Sequence, residues 1–176
     1  MSFDVWVFGY GSLIFRADFP FAERRVARLR GFARRFWQRS PDHRGTPLTP
    51  GRVVTLVVDP SSCVLGVAYR IEGARADSVL AALDLRERAG YERLEVEIEF
   101  IAPDAGRARA LVYFASRANP DFSEESNQAI AVIVRAASGP SGDNASYVRS
   151  LARALRELGE NDAHVFEIER LLDEPS

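Results

Sequence analysis

Over residues 92–101, apolar Leu94, Val96, Ile98 and Phe100 alternate with charged Arg93, Glu95, Glu97 and Glu99. A period of two places the two sets on opposite faces, which predicts a half-solvated antiparallel strand. Shorter apolar runs predict further strands over 5–10, 52–59, 63–71 and 107–115. The aromatic-rich stretch 32–39, with Phe32, Phe36 and Trp37, predicts another. Pro60-Ser61-Ser62 suits a hairpin turn between 52–59 and 63–71, and 103–106 suits a turn before 107–115. The period then changes. Ala76, Val79, Leu80 and Leu83 stand at helical spacing within 75–88, which Ala89-Gly90 ends. Helices are also predicted over 124–137, 145–158 and 164–172, with Asn144 placed to cap the second of these. Antiparallel strands followed by helices give an α+β fold, a mostly antiparallel curved sheet or small barrel flanked by helices. No domain-scale linker or internal repeat interrupts the chain, so one domain is expected over 1–176. The longest irregular stretch, 40–51, carries three prolines and has the length of a binding loop or lid.

Composition narrows the chemistry. The 176 residues are 47% hydrophobic, enough for a core, and the net charge of −2 argues for neither a nucleic-acid nor a membrane-surface partner. No apolar run approaches the ~20 residues of a membrane span. The N-terminus lacks the basic-then-apolar pattern of a secretory signal, so the cytoplasm is the default location. No obligate protein partner is indicated. Cys63, the single cysteine, lies within 63–71 and is expected to be a buried, inert thiol. All 23 basic residues are arginines, which removes Schiff-base chemistry, a lysine base and a P-loop lysine. His43 and His164 have no second ligand at metal spacing, so no metal is expected, and no local Ser-His-Asp motif is present. Carboxylates and tyrosines remain for acid–base work.

Two features carry candidate chemistry. The first strand runs into Gly9-Tyr10-Gly11-Ser12, where glycines tolerate positive φ and leave backbone N–H groups open as an anion nest. An ordinary glycine-rich turn reads the same way. A dinucleotide fingerprint does not, because its third glycine would fall on Ile14 and no βαβ unit follows. The second feature is Glu87. With Leu80 and Leu83 at i, i+3, i+7, it lies at the edge of a buried helix face in the last turn. Desolvation and the helix dipole both raise a carboxylate pKa there, as suits a general base. A structural salt bridge with Arg86 or Arg88 is the competing reading. Tyr10, Tyr69, Tyr91 and Tyr113 lie in or beside strands as core or rim aromatics. Arg52 and His43-Arg44 are candidates to meet a substrate carboxylate, or are surface charges.

Seven ordered segments resemble the ChaC-type γ-glutamylcyclotransferases, the glutathione-specific branch. They are Val7-Phe-Gly-Tyr-Gly-Ser-Leu-Ile14, Arg34-Arg-Phe-Trp-Gln38, Asp42-His-Arg-Gly45, Pro50-Gly-Arg-Val-Val-Thr-Leu56, Gly66-Val-Ala-Tyr-Arg70, Arg86-Glu-Arg-Ala-Gly-Tyr91, and Gly139-Pro-Ser-Gly142 with Asn144. The resemblance implies a reaction without metal or organic cofactor. The γ-glutamyl α-amine attacks its own γ-carbonyl, giving 5-oxoproline and, from glutathione, Cys-Gly. It implies Glu87 as the acid/base and Gly9, Tyr10, Gly11, Ser12, Leu13 and Ile14 as the substrate loop. Arg52 and Tyr113 join them as substrate-binding candidates, and Arg52, His43 and Arg44 are candidates for the Cys-Gly half. One departure is Arg88-Ala89-Gly90, where the family often has Lys-Gly-Gly. The alternatives are the same chemistry on other γ-glutamyl amino acids or amines, or a non-catalytic module that binds γ-glutamyl peptides.

Overall fold

The computed structural model describes residues 3–87, 91–101 and 105–174. Among them, β1 (Val5–Gly9), β2 (Glu23–Ser40), β3 (Gly51–Ile71), β4 (Glu92–Phe100) and β5 (Gly106–Phe114) close a barrel in the order β1-β3-β2-β4-β5. Neighbours are antiparallel except at the closure, where β1 runs parallel to β5 through Trp6↔Ala110 and Val7↔Leu111. The α+β expectation with a small, mostly antiparallel barrel therefore holds.

The alternation over 92–101 does what its period requires. Val96, Ile98 and Phe100 are buried in the core, though Leu94, near the start of the strand, is exposed, while Glu95, Glu97 and Glu99 face out to Arg109, Arg107 and Arg30 at 2.9, 3.0 and 2.9 Å. These exposed pairs add little stability. Strand β2 begins at Glu23, well before the aromatic stretch. Its first half buries only Ala27 and Leu29 among arginines, too sparse an apolar signal to read as a strand.

The hairpin expected at Pro60-Ser61-Ser62 does not form. Residues 52–59 and 63–71 belong to one strand, β3, and both halves pair along β2, with Phe32↔Val58 and Arg30↔Cys63. The link becomes a bulge instead, opposite Gly31 at φ 81°. Asp59 holds it: Oδ1 accepts from the Ser61 N–H at 3.1 Å, and Oδ2 accepts from the Ser62 hydroxyl at 2.6 Å. A partner as long as β2 satisfies both halves, so neither needs the other. Cys63 follows this bulge and is exposed, not buried.

The helices are α1 (Gly73–Arg86), α2 (Asn127–Ala136), α3 (Asn144–Glu157) and α4 (Ala163–Leu172), with a small hairpin of β6 (Ser138–Gly139) and β7 (Gly142–Asp143) before α3. Ser126 caps α2, Asp143 caps α3 and Asp162 caps α4, accepting at 3.2, 2.7 and 3.1 Å from the N–H three residues on. Asn144 is therefore not the cap. It is fully buried, and its amide bridges α3 to β3 by accepting from the Arg52 N–H at 2.6 Å and donating to the Arg52 carbonyl at 2.8 Å.

The main core joins the barrel interior to the apolar faces of α2, α3 and α4. A second cluster seats Ala76, Val79 and Leu83 of α1 on Val7, Ile71 and Tyr113, at the barrel's outer wall. Helix α1 closes at Arg86, with the Glu87 N–H donating to the Leu83 carbonyl at 2.9 Å. The expected terminator Ala89-Gly90, the Arg88 departure and the Pro103 end of the 103–106 turn lie outside the described residues.

Candidate active site

After Gly9 the chain leaves its pairing with Val67 and makes a tight 3-10 turn, Ser12–Ile14. The carbonyls of this loop are tied to the protein. The Tyr10 carbonyl accepts from Arg34 Nε at 2.7 Å, and the Leu13 carbonyl accepts from the Tyr69 hydroxyl at 2.6 Å. Arg34 is itself buried and paired with Asp162 at 2.7 Å, so this anchor is fixed from inside the fold. In a trans peptide the N–H opposes the carbonyl, so the Gly11 N–H points away from Arg34. Among the described residues, the N–H groups of Tyr10, Gly11, Ser12 and Leu13 donate to no protein acceptor. These four loop donors are therefore unpaired.

The reason for its glycines differs from the expected one. Neither Gly9 nor Gly11 has positive φ. A Cβ at Gly9 would lie 2.5 Å from Leu13 Cβ, and one at Gly11 would lie 3.0 Å from Val54 Cγ2 and 3.3 Å from the Tyr147 hydroxyl oxygen. Close approach, not backbone twist, demands glycine.

Glu87 sits just past α1. The packing of Val79 and Leu83 against Val7 carries it to the end of β1 where the loop begins. Its side chain is 22% exposed and lies 3.5 Å from Arg86 Nε, while Arg86 Nη2 donates to the Ser12 hydroxyl at 2.9 Å. Arg86 thus bridges the carboxylate to the loop. Burial raises the Glu87 pKa, Arg86 and His43 oppose that rise, and Asp42 adds to it. Glu87 thus has an ion-pair partner, and burial nevertheless outweighs it in setting the direction of its pKa.

Loop and carboxylate line one cavity of about 140 Å³. That is close to the ~150 Å³ of a cavity that takes one benzene, so it suits one compact group. Gly9, Tyr10, Gly11, Ser12, Leu13, Glu87 and Tyr113 all line it, as do His43 and Arg44. Ile14 does not; it is buried under the turn. Arg52 does not either. Its side chain is spent on Glu125 at 2.7 Å and on the Gly51 carbonyl at 3.1 Å, in the interior.

The tyrosines around Glu87 are neutral donors. Burial pushes Tyr10 and Tyr91 well up, and the Glu87 charge adds to both; burial likewise holds Tyr147 at about 12. Tyr113 is pushed to about 12 by burial and by Asp84, to which its hydroxyl donates at 2.6 Å. Tyr113 therefore offers the cavity its ring.

Sequence reasoning missed several lining residues, among them Arg86, Tyr147, Arg16 and Arg39. Arg86 was visible only as an ion-pair partner of its neighbour. Tyr147 reads as a core residue of α3, one turn before Leu151, and nothing in its spacing marks a site. Arg16 follows the turn without a motif of its own. From the loop 40–51, Ser40, Asp42, His43 and Arg44 wall the cavity, and hydrogen bonds tie this part down. The Arg44 N–H donates to the Ser40 hydroxyl at 3.0 Å, and the His43 carbonyl accepts from the Ser141 N–H at 2.9 Å. Among the described residues no group of three or more His, Cys, Asp or Glu side chains gathers as a metal site, and no helix is long and apolar enough to cross a membrane.

This sequence and fold have known counterparts. The family described as ChaC-like protein matches residues 5–174, and the chain belongs to it. It is 41% identical over 160 residues to human glutathione-specific gamma-glutamylcyclotransferase 1, covering 88% of this chain and 71% of that protein. It is 39% identical over 175 residues to gamma-glutamylcyclotransferase 2-3 of Arabidopsis thaliana, covering 93% of this chain and 86% of that protein. A crystal structure of a yeast gamma-glutamylcyclotransferase specific to glutathione superposes with a TM-score of 0.92 at 29% identity, covering 98% of this chain and 96% of that one.

Proposed function

We propose that this chain is a glutathione-specific γ-glutamylcyclotransferase that releases 5-oxoproline and Cys-Gly, with Glu87 as its acid/base. The observation that carries the reading is the Glu87 carboxylate, shielded from water and linked through Arg86 to a loop of open N–H donors. The human relative and the yeast structure, both named for glutathione, support the substrate.

The γ-glutamyl head fills the cavity, with its α-carboxylate or the developing oxyanion at the N–H groups of residues 10–13. Glu87 takes a proton from the α-ammonium. The freed amine attacks the γ-carbonyl, closing a five-membered ring as the bond to the cysteinyl nitrogen breaks. The Glu87 carboxyl then returns its proton to the departing nitrogen, and the second proton shed by the ring nitrogen passes to the same amine, leaving a neutral lactam and the Cys-Gly ammonium with no water consumed. Holding the two ends of one molecule in contact supplies much of the rate, and the chain provides base, acid and positioning from its own residues. The cytosol, where thiols and glutathione are kept reduced, is the location that fits such a substrate.

Purified protein incubated with glutathione should yield 5-oxoproline by mass spectrometry, and much less from γ-glutamyl-alanine. Equal product from both would replace glutathione specificity with a general γ-glutamyl activity. Binding without product would leave a non-catalytic module.

A further inference from the structure

Four arginines line the cavity, and they are not equally neutralised. Arg86 is held by Ser12 and Glu87, and Arg39 by the Pro120 carbonyl at 2.8 Å and Asp121 at 3.5 Å. Arg44 has no carboxylate within ion-pair distance among the described residues. Its guanidinium lies over the Tyr147 ring, 5.2 Å from the centroid, and its one polar side-chain bond is to the Asp143 carbonyl at 3.3 Å. Asp143 acts on it as an opposite charge, and Arg16, across the same cavity, as a like one. Among the described residues Arg16 pairs only through Nε, with Asp18 at 2.8 Å, and both terminal nitrogens are open. Burial first, and Arg16 as a like charge, lower the Arg44 pKa. Two cations turned toward one space repel unless an anion enters between them.

The adjoining space shows where that anion comes from. A second hollow of about 240 Å³ opens beside the cavity and shares Arg16, His43, Arg86 and Ser141 with it, adding Phe19, Ala82 and Leu83 as apolar walls and Asp18, the partner of Arg16, as a carboxylate; Arg44 stands on the first cavity's side of this rim. The first cavity has room for a compact γ-glutamyl head, so the rest of a tripeptide must run out past this rim. That remainder carries one formal charge, its C-terminal carboxylate.

We infer that Arg16 and Arg44 form a distal carboxylate clamp that takes the C-terminal carboxylate of a γ-glutamyl tripeptide and so selects it over shorter γ-glutamyl compounds. The inference rests on the cyclotransferase reading and adds specificity to it. Among the described residues neither arginine is within ion-pair distance of Glu87.

Glutathione and its glycine carboxamide, which differ by that one charge, test the clamp by 5-oxoproline release. The wild-type protein should favour glutathione by roughly tenfold or more in kcat/KM, mainly through KM, as befits hydrogen bonds to a charged group. Arg44→Gln combined with Arg16→Gln should bring the ratio toward one. Arg16→Gln alone, an exposed change that the fold tolerates, should lower it part of the way. A wild-type protein that treats both compounds alike overturns the clamp and leaves the cyclotransferase standing. So does a double variant that keeps the wild-type ratio. No 5-oxoproline from either compound overturns the cyclotransferase reading, and the clamp with it.

Discussion

Glu87 works against the stability of the fold that holds it. Burial raises its pKa in the folded chain above the unfolded value. Its favourable contribution is therefore complete below the unfolded carboxylate pKa and is lost as pH rises through the folded value. At neutral pH the ionised side chain destabilises the fold relative to a neutral group of the same shape. Glu87→Gln should accordingly raise Tm at pH 7, where roughly 2–4 °C corresponds to about 1 kcal/mol in a chain of this size. The gain should shrink toward zero near pH 4, where the wild-type carboxyl is itself protonated. A Tm at pH 7 below that of the wild type would mean that the Arg86 pair, not burial, dominates at this position. The direction of the Glu87 pKa was legible from Leu80, Leu83 and Glu87 sharing a helix face. The role of Arg86 was not, because adjacency in sequence cannot show that one guanidinium spans Glu87 and Ser12.

At the scale of elements, period proved informative about faces and silent about partners. The strand 92–101 was read with its faces correct, since alternation alone decides which side meets the core. The Pro60-Ser61-Ser62 link was misread because a turn signal is equally consistent with a hairpin and with a bulge. The choice is made by β2, whose length and Gly31 accept both halves of β3. Asn144 shows the same limit. Its type suits a cap, yet Asp143 takes that place one residue earlier, and the buried amide joins α3 to β3. Asn144→Ala removes two hydrogen bonds and strands the Arg52 N–H and carbonyl away from water. At about 1–3 kcal/mol for each unsatisfied buried group, the variant should unfold well below the wild-type Tm in thermal denaturation. An unchanged Tm would show that this bridge is not structural.

At the scale of the molecule, the class of fold was legible and its closure was not. Strands followed by helices point to α+β, but the parallel pairing of β1 with β5 joins segments about a hundred residues apart, and no local pattern announces it. The site depends on that closure. The donor loop follows β1, and Glu87 follows a helix packed on β1, β3 and β5, so Ser12 and Arg86 meet across 74 residues of sequence. Arg52 marks the opposite outcome, since a plausible charge was carried into the interior to meet Glu125. The central claim is that this assembly places a positioned γ-glutamyl group against one carboxylate. Turnover of glutathione to 5-oxoproline by Glu87→Gln, compared with the wild type at equal protein and confirmed fold, tests it most directly. The expected loss is roughly 10²–10⁴-fold, the range of a removed general acid–base group. A folded Glu87→Gln protein that turns over glutathione at nearly the wild-type rate would contradict the claim.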